Sequence, residues 1–131
     1  MTVESIEARV NFSSGGAYES VYGYSRAVRA GSDVHVSGTC APAGHEGSDA
    51  YTQTRAALAI IEKALGEAGA SMSHVVRTVV YVRDMADADA VARAHLESFD
   101  TIRPASTMVQ ITSLLRPWQK VEIEAYAKVQ E

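Results

Sequence analysis

The segment from residue 120 to residue 129 alternates between apolar and polar side chains, and this alternation constrains the fold more than any other feature. The apolar positions are Val121, Ile123, Ala125 and Ala127, and the polar positions are Glu122, Glu124, Tyr126 and Lys128. Successive side chains of a β-strand point to opposite faces of its sheet, so the period of two predicts a strand with one buried face. A strand also needs neighbours, because its backbone N–H and C=O groups require hydrogen-bonding partners. The rest of the chain must therefore supply further strands.

Five other segments have strand patterns. We predict strands over residues 6–12, 24–30, 33–37, 75–82 and 107–113. Gly31 and Ser32 separate the second segment from the third, and glycine at that junction suits the positive φ of a tight hairpin turn. These two strands are therefore expected to pair with each other.

Two segments have helix patterns. Apolar residues recur every three or four positions from residue 49 to residue 68, and the side chains of residues 48 and 49 can cap the free amides at the start of this helix. Asp84 and Asp87 are capping candidates for a second helix, which ends before Pro104 because proline cannot continue a helical ladder. The sequence thus predicts two long helices.

The predicted order is strand, strand, strand, helix, strand, helix, strand, strand (βββαβαββ), an α+β domain built on one six-stranded mixed sheet. Two helices of this length can cover only one face of such a sheet. We expect Met108, Val109, Glu122 and Tyr126 on the other face, a mixture typical of a subunit interface. The chain is therefore predicted to assemble with copies of itself.

Composition narrows the possible functions. A chain of 131 residues is the size of one domain, so residues 1–131 are read as a single unit. The formal net charge of −4 gives no reason to bind the phosphates of nucleic acids. No stretch approaches a membrane span, and the first twelve residues lack a signal-peptide pattern, so a cytoplasmic location is expected. Cys40 is the only cysteine, so it is expected to be a small buried side chain.

Metal and cofactor motifs are not found in the sequence. Four histidines, at positions 35, 45, 74 and 95, are scattered without the spacing of metal ligands. The glycine-rich stretches match neither a dinucleotide fingerprint nor a phosphate-binding loop. We therefore expect no metal and no cofactor.

The chain resembles the Rid/YjgF family along most of its length. Residues 102–127 read IRPASTMVQITSLLRPWQKVEIEAYA, which is similar to the C-terminal signature of that family. The segments GYSRAV from residue 23, VSGT from 36, QTRAAL from 53 and VVRTVVYVRDM from 75 fall at the family's spacing. The resemblance implies a chorismate-mutase-like fold, a homotrimer and small-molecule clefts between subunits. It also implies hydrolysis of reactive imines or enamines without a cofactor.

The resemblance also implies site residues. Tyr24 matches the family's cleft tyrosine, Ser37 and Gly38 match its Ser-Gly pair, and Glu122 matches the glutamate that orients water. Ala105 keeps the Pro-Ala start of the signature.

Three positions depart from the family pattern. The substrate-gripping arginine is replaced by Ser106, an asparagine by Ala92 and a cysteine by Met108. A serine hydroxyl supplies neither the charge nor the reach of a guanidinium, so weak or absent hydrolysis of 2-aminoacrylate is expected. Arg26, on the same strand face as Tyr24, and Arg103 are the candidates for a replacement anchor.

Two functions stay open at this point. The first is an enzyme that hydrolyses an imine, an enamine or a related carbonyl compound, with Glu122 and Tyr24 as catalytic residues. The second is a noncatalytic trimer that binds or senses a small molecule in the same cleft. A ribonuclease or translation inhibitor ranks last, because the acidic balance offers no patch for RNA.

Overall fold

The computed structural model describes residues 8–130 and contains one mixed sheet in the strand order β1-β2-β3-β6-β4-β5. The strands are β1 (Arg9–Phe12), β2 (Ala27–Ala30), β3 (Asp33–Thr39), β4 (Val75–Val82), β5 (Ala105–Gln110) and β6 (Val121–Lys128). β5 lies parallel to β4 at one edge, and all other neighbours are antiparallel. The helices are α1 (Glu19–Tyr22), α2 (Ala50–Glu67) and α3 (Ala88–Phe99). The α+β class and the predicted order of strands and long helices are confirmed.

Helix α2 begins and ends where its sequence predicts. The Asp49 carboxylate accepts a hydrogen bond of 2.8 Å from the Thr52 amide, which satisfies one of the free donors at the helix start. At the other end Gly69 has a φ of 80°, and the guanidinium of Arg29 in β2 donates to the Ala68 carbonyl at 2.8 Å. A cation placed on the last carbonyls also favours the helix dipole. The helix is thereby fixed against the first half of the sheet.

The hydrophobic core lies between one face of the sheet and helices α2 and α3. The apolar side chains of β6 point into it and are almost completely buried, as the alternation predicts. Ile61 and Leu65 of α2 and Phe99 of α3 are the largest buried side chains that meet them. Removing such a side chain costs about 2–5 kcal/mol, so this layer stabilises the packing of the helices on the central strands of the sheet.

The opposite face of the sheet has no helix over it in the described residues. Tyr126, Glu124 and Glu122 of β6 point to this face, and β4 places Arg77, Val79 and Tyr81 beside them in register. The Tyr81 hydroxyl donates to Glu124 at 2.6 Å, and the Tyr126 hydroxyl donates to the same carboxylate. The hydrogen bond of Tyr81 to Glu124, together with burial, raises the pKa of Tyr81 to about 12.

Several element boundaries differ from the prediction. The strand expected from residue 24 begins at Ala27. The strand expected over residues 107–113 is β5, which begins two residues earlier and ends three residues earlier. The first strand is observed from Arg9, and residues 6 and 7 of the predicted strand lie outside the described residues. Helix α1 is an element that the sequence did not predict.

The expected position of Met108 is wrong. It pairs with Val80, a core residue, and packs against the buried cluster on the helix side of the sheet. Val109 takes the uncovered face, because neighbouring residues of a strand alternate. None of the helices in residues 8–130 has the length and hydrophobicity that a membrane span requires.

Candidate active site

A cleft of about 970 Å³ extends from the point where β3 ends and β6 begins onto the uncovered face of the sheet. Its walls come from the loop before α1, the start of β2, the end of β3 and the segment before β6. Five of the residues singled out by the sequence line it, namely Tyr24, Arg26, Ser37, Gly38 and Glu122. The fold therefore brings together residues that lie almost 100 positions apart in the chain.

The Glu122 carboxylate lies directly against the backbone of Gly38. The β3–β6 register shifts between Val36 and Thr39, and this irregularity places Gly38 beside the Glu122 side chain. A Cβ atom on Gly38 would lie 2.5 Å from Glu122 Oε1, far inside van der Waals contact. Gly38 has no positive φ, so glycine is required here for space and not for backbone conformation. Glu122 is thus held at one position on the floor of the cleft.

The other oxygen of Glu122 accepts a hydrogen bond from Cys40. The Cys40 thiol lies 3.6 Å from Glu122 Oε2. Burial, and the negative charge of Glu122 that accepts this hydrogen bond, raise the pKa of Cys40 to about 12. The thiol therefore stays protonated at neutral pH and acts as a donor to Glu122. It is a poor nucleophile in this state, because only a thiolate is a strong nucleophile.

Arg26 braces the backbone of the cleft. Its Nη1 donates to the Gly38 carbonyl at 3.0 Å and to Thr39 Oγ1 at 2.6 Å. Its guanidinium carbon lies 5.6 Å from the ring centroid of Tyr24, a cation–π contact. Its Nε is buried without a hydrogen-bond partner. The Arg26 charge therefore belongs to the same cleft as Glu122, and Nη1 is already used to hold Gly38.

Tyr24 reaches the cleft because α1 ends immediately before it. Gly23 has a φ of 79° and donates its amide to the Glu19 carbonyl, which terminates the helix after one turn. The Glu19 carboxylate in turn accepts hydrogen bonds from the Ser14 hydroxyl at 2.6 Å and from the Ser14 and Gly16 amides. This short helix and its loop form one wall of the cleft.

A second, smaller cavity of about 270 Å³ lies on the helix side of the sheet, between α3 and β5. The Thr78 hydroxyl donates to Ser106 Oγ at 2.8 Å and lies 2.9 Å from His95 Nε2. Burial lowers the pKa of His95, so its ring is neutral at pH 7. Arg103 lines the rim, where its guanidinium makes an ion pair of 2.6 Å with Asp100.

The predicted site residues are thus divided between two places. Ser106 and Met108 line the smaller cavity, whereas Ala105 is exposed at the start of β5 and lines neither. Of the two candidate anchors, Arg26 lies in the large cleft and Arg103 at the rim of the small cavity. Each cavity therefore holds only part of the predicted set.

Sequence reasoning gave no role to Thr78, His95 or the contact between Cys40 and Glu122. Proximity of Cys40 to the Ser-Gly pair was the one available signal, because two residues beyond Gly38 a side chain still lies near the same strand end. Within the described part of the chain, no three His, Cys, Asp or Glu side chains cluster as metal ligands do.

Comparison with known proteins identifies the family. The family model described as Endoribonuclease L-PSP matches residues 15–129. The crystal structure of Rv2704 from Mycobacterium tuberculosis, a member of the YjgF/YER057c/UK114 family, is 48% identical with a TM-score of 0.88, covering 93% of this chain and 100% of that chain.

Two further relatives are similar in sequence. SCO2049 of Streptomyces coelicolor is 38% identical over 125 residues, which cover 92% of this chain and 93% of that protein. The 3-aminoacrylate deaminase RutC of Acinetobacter baylyi is 37% identical over 81 residues, which cover 62% of this chain and 64% of that protein. The chain therefore belongs to the Endoribonuclease L-PSP family, the Rid/YjgF family that its sequence resembles.

Proposed function

We propose that this protein is a cofactor-independent enzyme that hydrolyses an imine, or an enamine after its conversion to the imine, in clefts between the subunits of a homotrimer. Family membership and the similarity to a protein named 3-aminoacrylate deaminase support this reaction class. The observation that carries the proposal is the placement of Glu122 over Gly38 on the floor of the large cleft.

The chemistry requires a base that handles one water molecule. Glu122 takes a proton from the water as its oxygen bonds to the imine carbon, and that proton passes to the nitrogen. The resulting carbinolamine then collapses to a carbonyl compound and ammonia, so that R₂C=NH and H₂O give R₂C=O and NH₃. The Cys40 thiol donates to one oxygen of Glu122 and thereby orients the other toward the water. Tyr24 supplies a hydroxyl at the mouth of the cleft.

The homotrimer is proposed because a single chain separates the two groups of predicted residues. Ser106 lies two strands away from Glu122 across the sheet and about three residues away along the strand direction. Its side chain belongs to the opposite face of the sheet. Strand spacings put their Cα atoms about 14 Å apart, beyond the span of one small metabolite. A neighbouring copy could place its Ser106 opposite Glu122. The exposed β5 edge and the uncovered sheet face are available for such contacts.

A second candidate function is binding without turnover. Arg26 Nη1 already holds Gly38 and Thr39, and Ser106 stands where the family has its substrate-gripping arginine. These two observations favour a protein that retains the cleft and has lost the reaction. Cleavage of RNA ranks behind both candidates, because the net charge of −4 gives little attraction to a phosphate backbone.

The test compares Glu122→Gln with the wild-type protein. An amino-acid oxidase generates carboxylated imines and an amine oxidase generates imines without a carboxylate. Semicarbazide competes for each imine, and hydrolysis by the protein is followed as a fall in the rate of semicarbazone formation. We expect Glu122→Gln to lose turnover while ligand binding persists. Glu62→Gln, an exposed change of the same kind on α2, is the matched control. Wild-type protein that accelerates neither class of imine would favour the binding protein.

A further inference from the structure

The smaller cavity contains a hydroxyl chain that sequence patterns do not reveal. Ser106, Thr78 and His95 are linked by contacts of 2.8 Å and 2.9 Å, and they come from β5, β4 and α3. Thr78 has no exposed surface, so its hydroxyl must find partners inside the protein. This series of hydrogen bonds ends at Ser106, an exposed residue whose hydroxyl reaches the cavity.

This series of hydrogen bonds presents a donor to a ligand. When the neutral His95 ring donates through Nε2, Thr78 donates to Ser106, and the Ser106 proton is free for a carbonyl oxygen. Because the single Thr78 proton goes to Ser106, His95 Nε2 must be the donor to Thr78, and this arrangement is uncharged.

The cavity offers no unpaired positive charge among the described residues that line it. Its cationic side chain is Arg103, which is held by Asp100. Arg103 Nη2 donates to the Asp100 carboxylate at 2.6 Å, and Arg103 Nε donates to the Asp100 backbone carbonyl at 2.7 Å. Arg103 has a positive φ of 57°, and these two hydrogen bonds turn its side chain back onto the end of α3. An entering carboxylate would lose water without meeting a free cation, which is unfavourable.

Most of the remaining lining is apolar. Val80, Leu96, Phe99 and Met108 surround the hydroxyl chain in a space of about 270 Å³. Such a space suits a compact group of several carbon atoms with one polar end, since small-molecule sites combine apolar walls with a few placed polar groups.

We infer that the Ser106–Thr78–His95 cavity binds the uncharged carbonyl or amide end of a small metabolite and discriminates against carboxylates. The inference rests on the proposed function in one respect, that this cavity forms the substrate-recognition half of the intersubunit cleft. It makes the substrate class an imine that bears a neutral polar group or an apolar group in place of the carboxylate.

Binding of a matched pair of probes tests the inference at pH 7. The probes are 2-oxobutanamide and 2-oxobutanoate, which differ in one neutral or charged end, and their affinities for the assembled wild-type protein are measured by titration calorimetry. We expect the amide to bind about tenfold or more tightly than the acid. Thr78→Val, which keeps the shape and removes the hydroxyl, should weaken the amide about tenfold and leave the acid unchanged.

Two variants keep the test decisive if Thr78→Val fails to fold. Ser106→Ala changes an exposed residue and should lower amide affinity in the same direction. Ser106→Arg adds a cation and should reverse the preference toward 2-oxobutanoate. Preference of the wild-type protein for the acid, equal affinity for both probes, or no binding of either would overturn the inference.

Turnover assays separate this inference from the proposed function. Preferred binding of the amide without hydrolysis of any imine would contradict the enzyme and support the neutral-ligand cavity. Faster hydrolysis of carboxylated imines than of imines from the amine oxidase would contradict the neutral-ligand cavity and support the enzyme.

Discussion

Replacing Gly38 with alanine displaces Glu122 without altering any titratable group. The added Cβ would lie 2.5 Å from Glu122 Oε1 and 2.9 Å from its carboxyl carbon. An ordinary contact is about 3.4–4 Å, so the carboxylate must move by roughly 1 Å. Overpacking of this kind costs about 1–3 kcal/mol of folding free energy. A misplacement of about 1 Å at a catalytic group can lower a rate about 100-fold.

A double-mutant cycle isolates the clash from other effects of alanine. In the Glu122→Ala background the obstructing carboxylate is gone, so Gly38→Ala should become neutral or slightly stabilising, because alanine loses less backbone entropy than glycine on folding. Urea unfolding at one protein concentration measures all four proteins. Gly47→Ala, at an exposed glycine with no heavy atom within 4 Å of the added Cβ, is the matched control. An equal cost of Gly38→Ala in both backgrounds would refute the contact between Gly38 and Glu122.

Three further predictions concern individual groups. With its pKa raised to about 12, Cys40 should be alkylated by iodoacetamide at pH 8 about a thousandfold more slowly than a free thiol, and Glu122→Gln should speed the reaction; alkylation at the rate of a free thiol would contradict this. Because the Tyr81 pKa is raised to about 12 through its hydrogen bond to Glu124, Glu124→Gln should lower the pH at which Tyr81 ionises, and absorbance at alkaline pH should detect the shift. Arg26→Ala removes two charge-assisted hydrogen bonds and should destabilise the fold by about 1.5–3 kcal/mol while lowering turnover, whereas unchanged unfolding would show that Arg26 does not brace the cleft.

Local patterns in the sequence predict the sheet well. The alternation along β6 assigns each side chain to a face, because the core beneath α2 and α3 tolerates only the apolar set. The expectation for Met108 is wrong because β5 mixes apolar residues on both faces, so its pattern alone does not fix which face is buried. Only the pairing of Met108 with Val80 decides the matter.

The part of the candidate site that comes from one hairpin could be predicted from the sequence. Tyr24, Arg26 and Gly38 meet because β2 and β3 form a hairpin through Gly31, whose φ is 61°. Helix α1 escapes prediction because four residues are too few for a period, and hydrogen bonds of the Glu19 carboxylate to the preceding loop hold it in place.

The hydroxyl chain of the smaller cavity could not be predicted from the sequence for a different reason. Ser106, Thr78 and His95 meet only through the parallel pairing of β5 with β4 and the packing of α3 over them. No local spacing encodes a contact among three separate elements. The resemblance places Ser106 where an arginine is expected, and the structure shows which side chains surround that position.

Complementation between two inactive variants tests most directly whether Glu122 and Ser106 of different copies form one site. Glu122→Gln disables the large cleft, and Ala92→Trp, at an exposed position of α3, fills the small cavity. Each variant alone should form a trimer by light scattering and should be inactive in the imine assay. In mixed trimers assembled at equal amounts, about a quarter of the intersubunit clefts should combine two intact halves, so about a quarter of wild-type turnover should return. Mixed trimers that remain inactive would contradict a site shared between subunits.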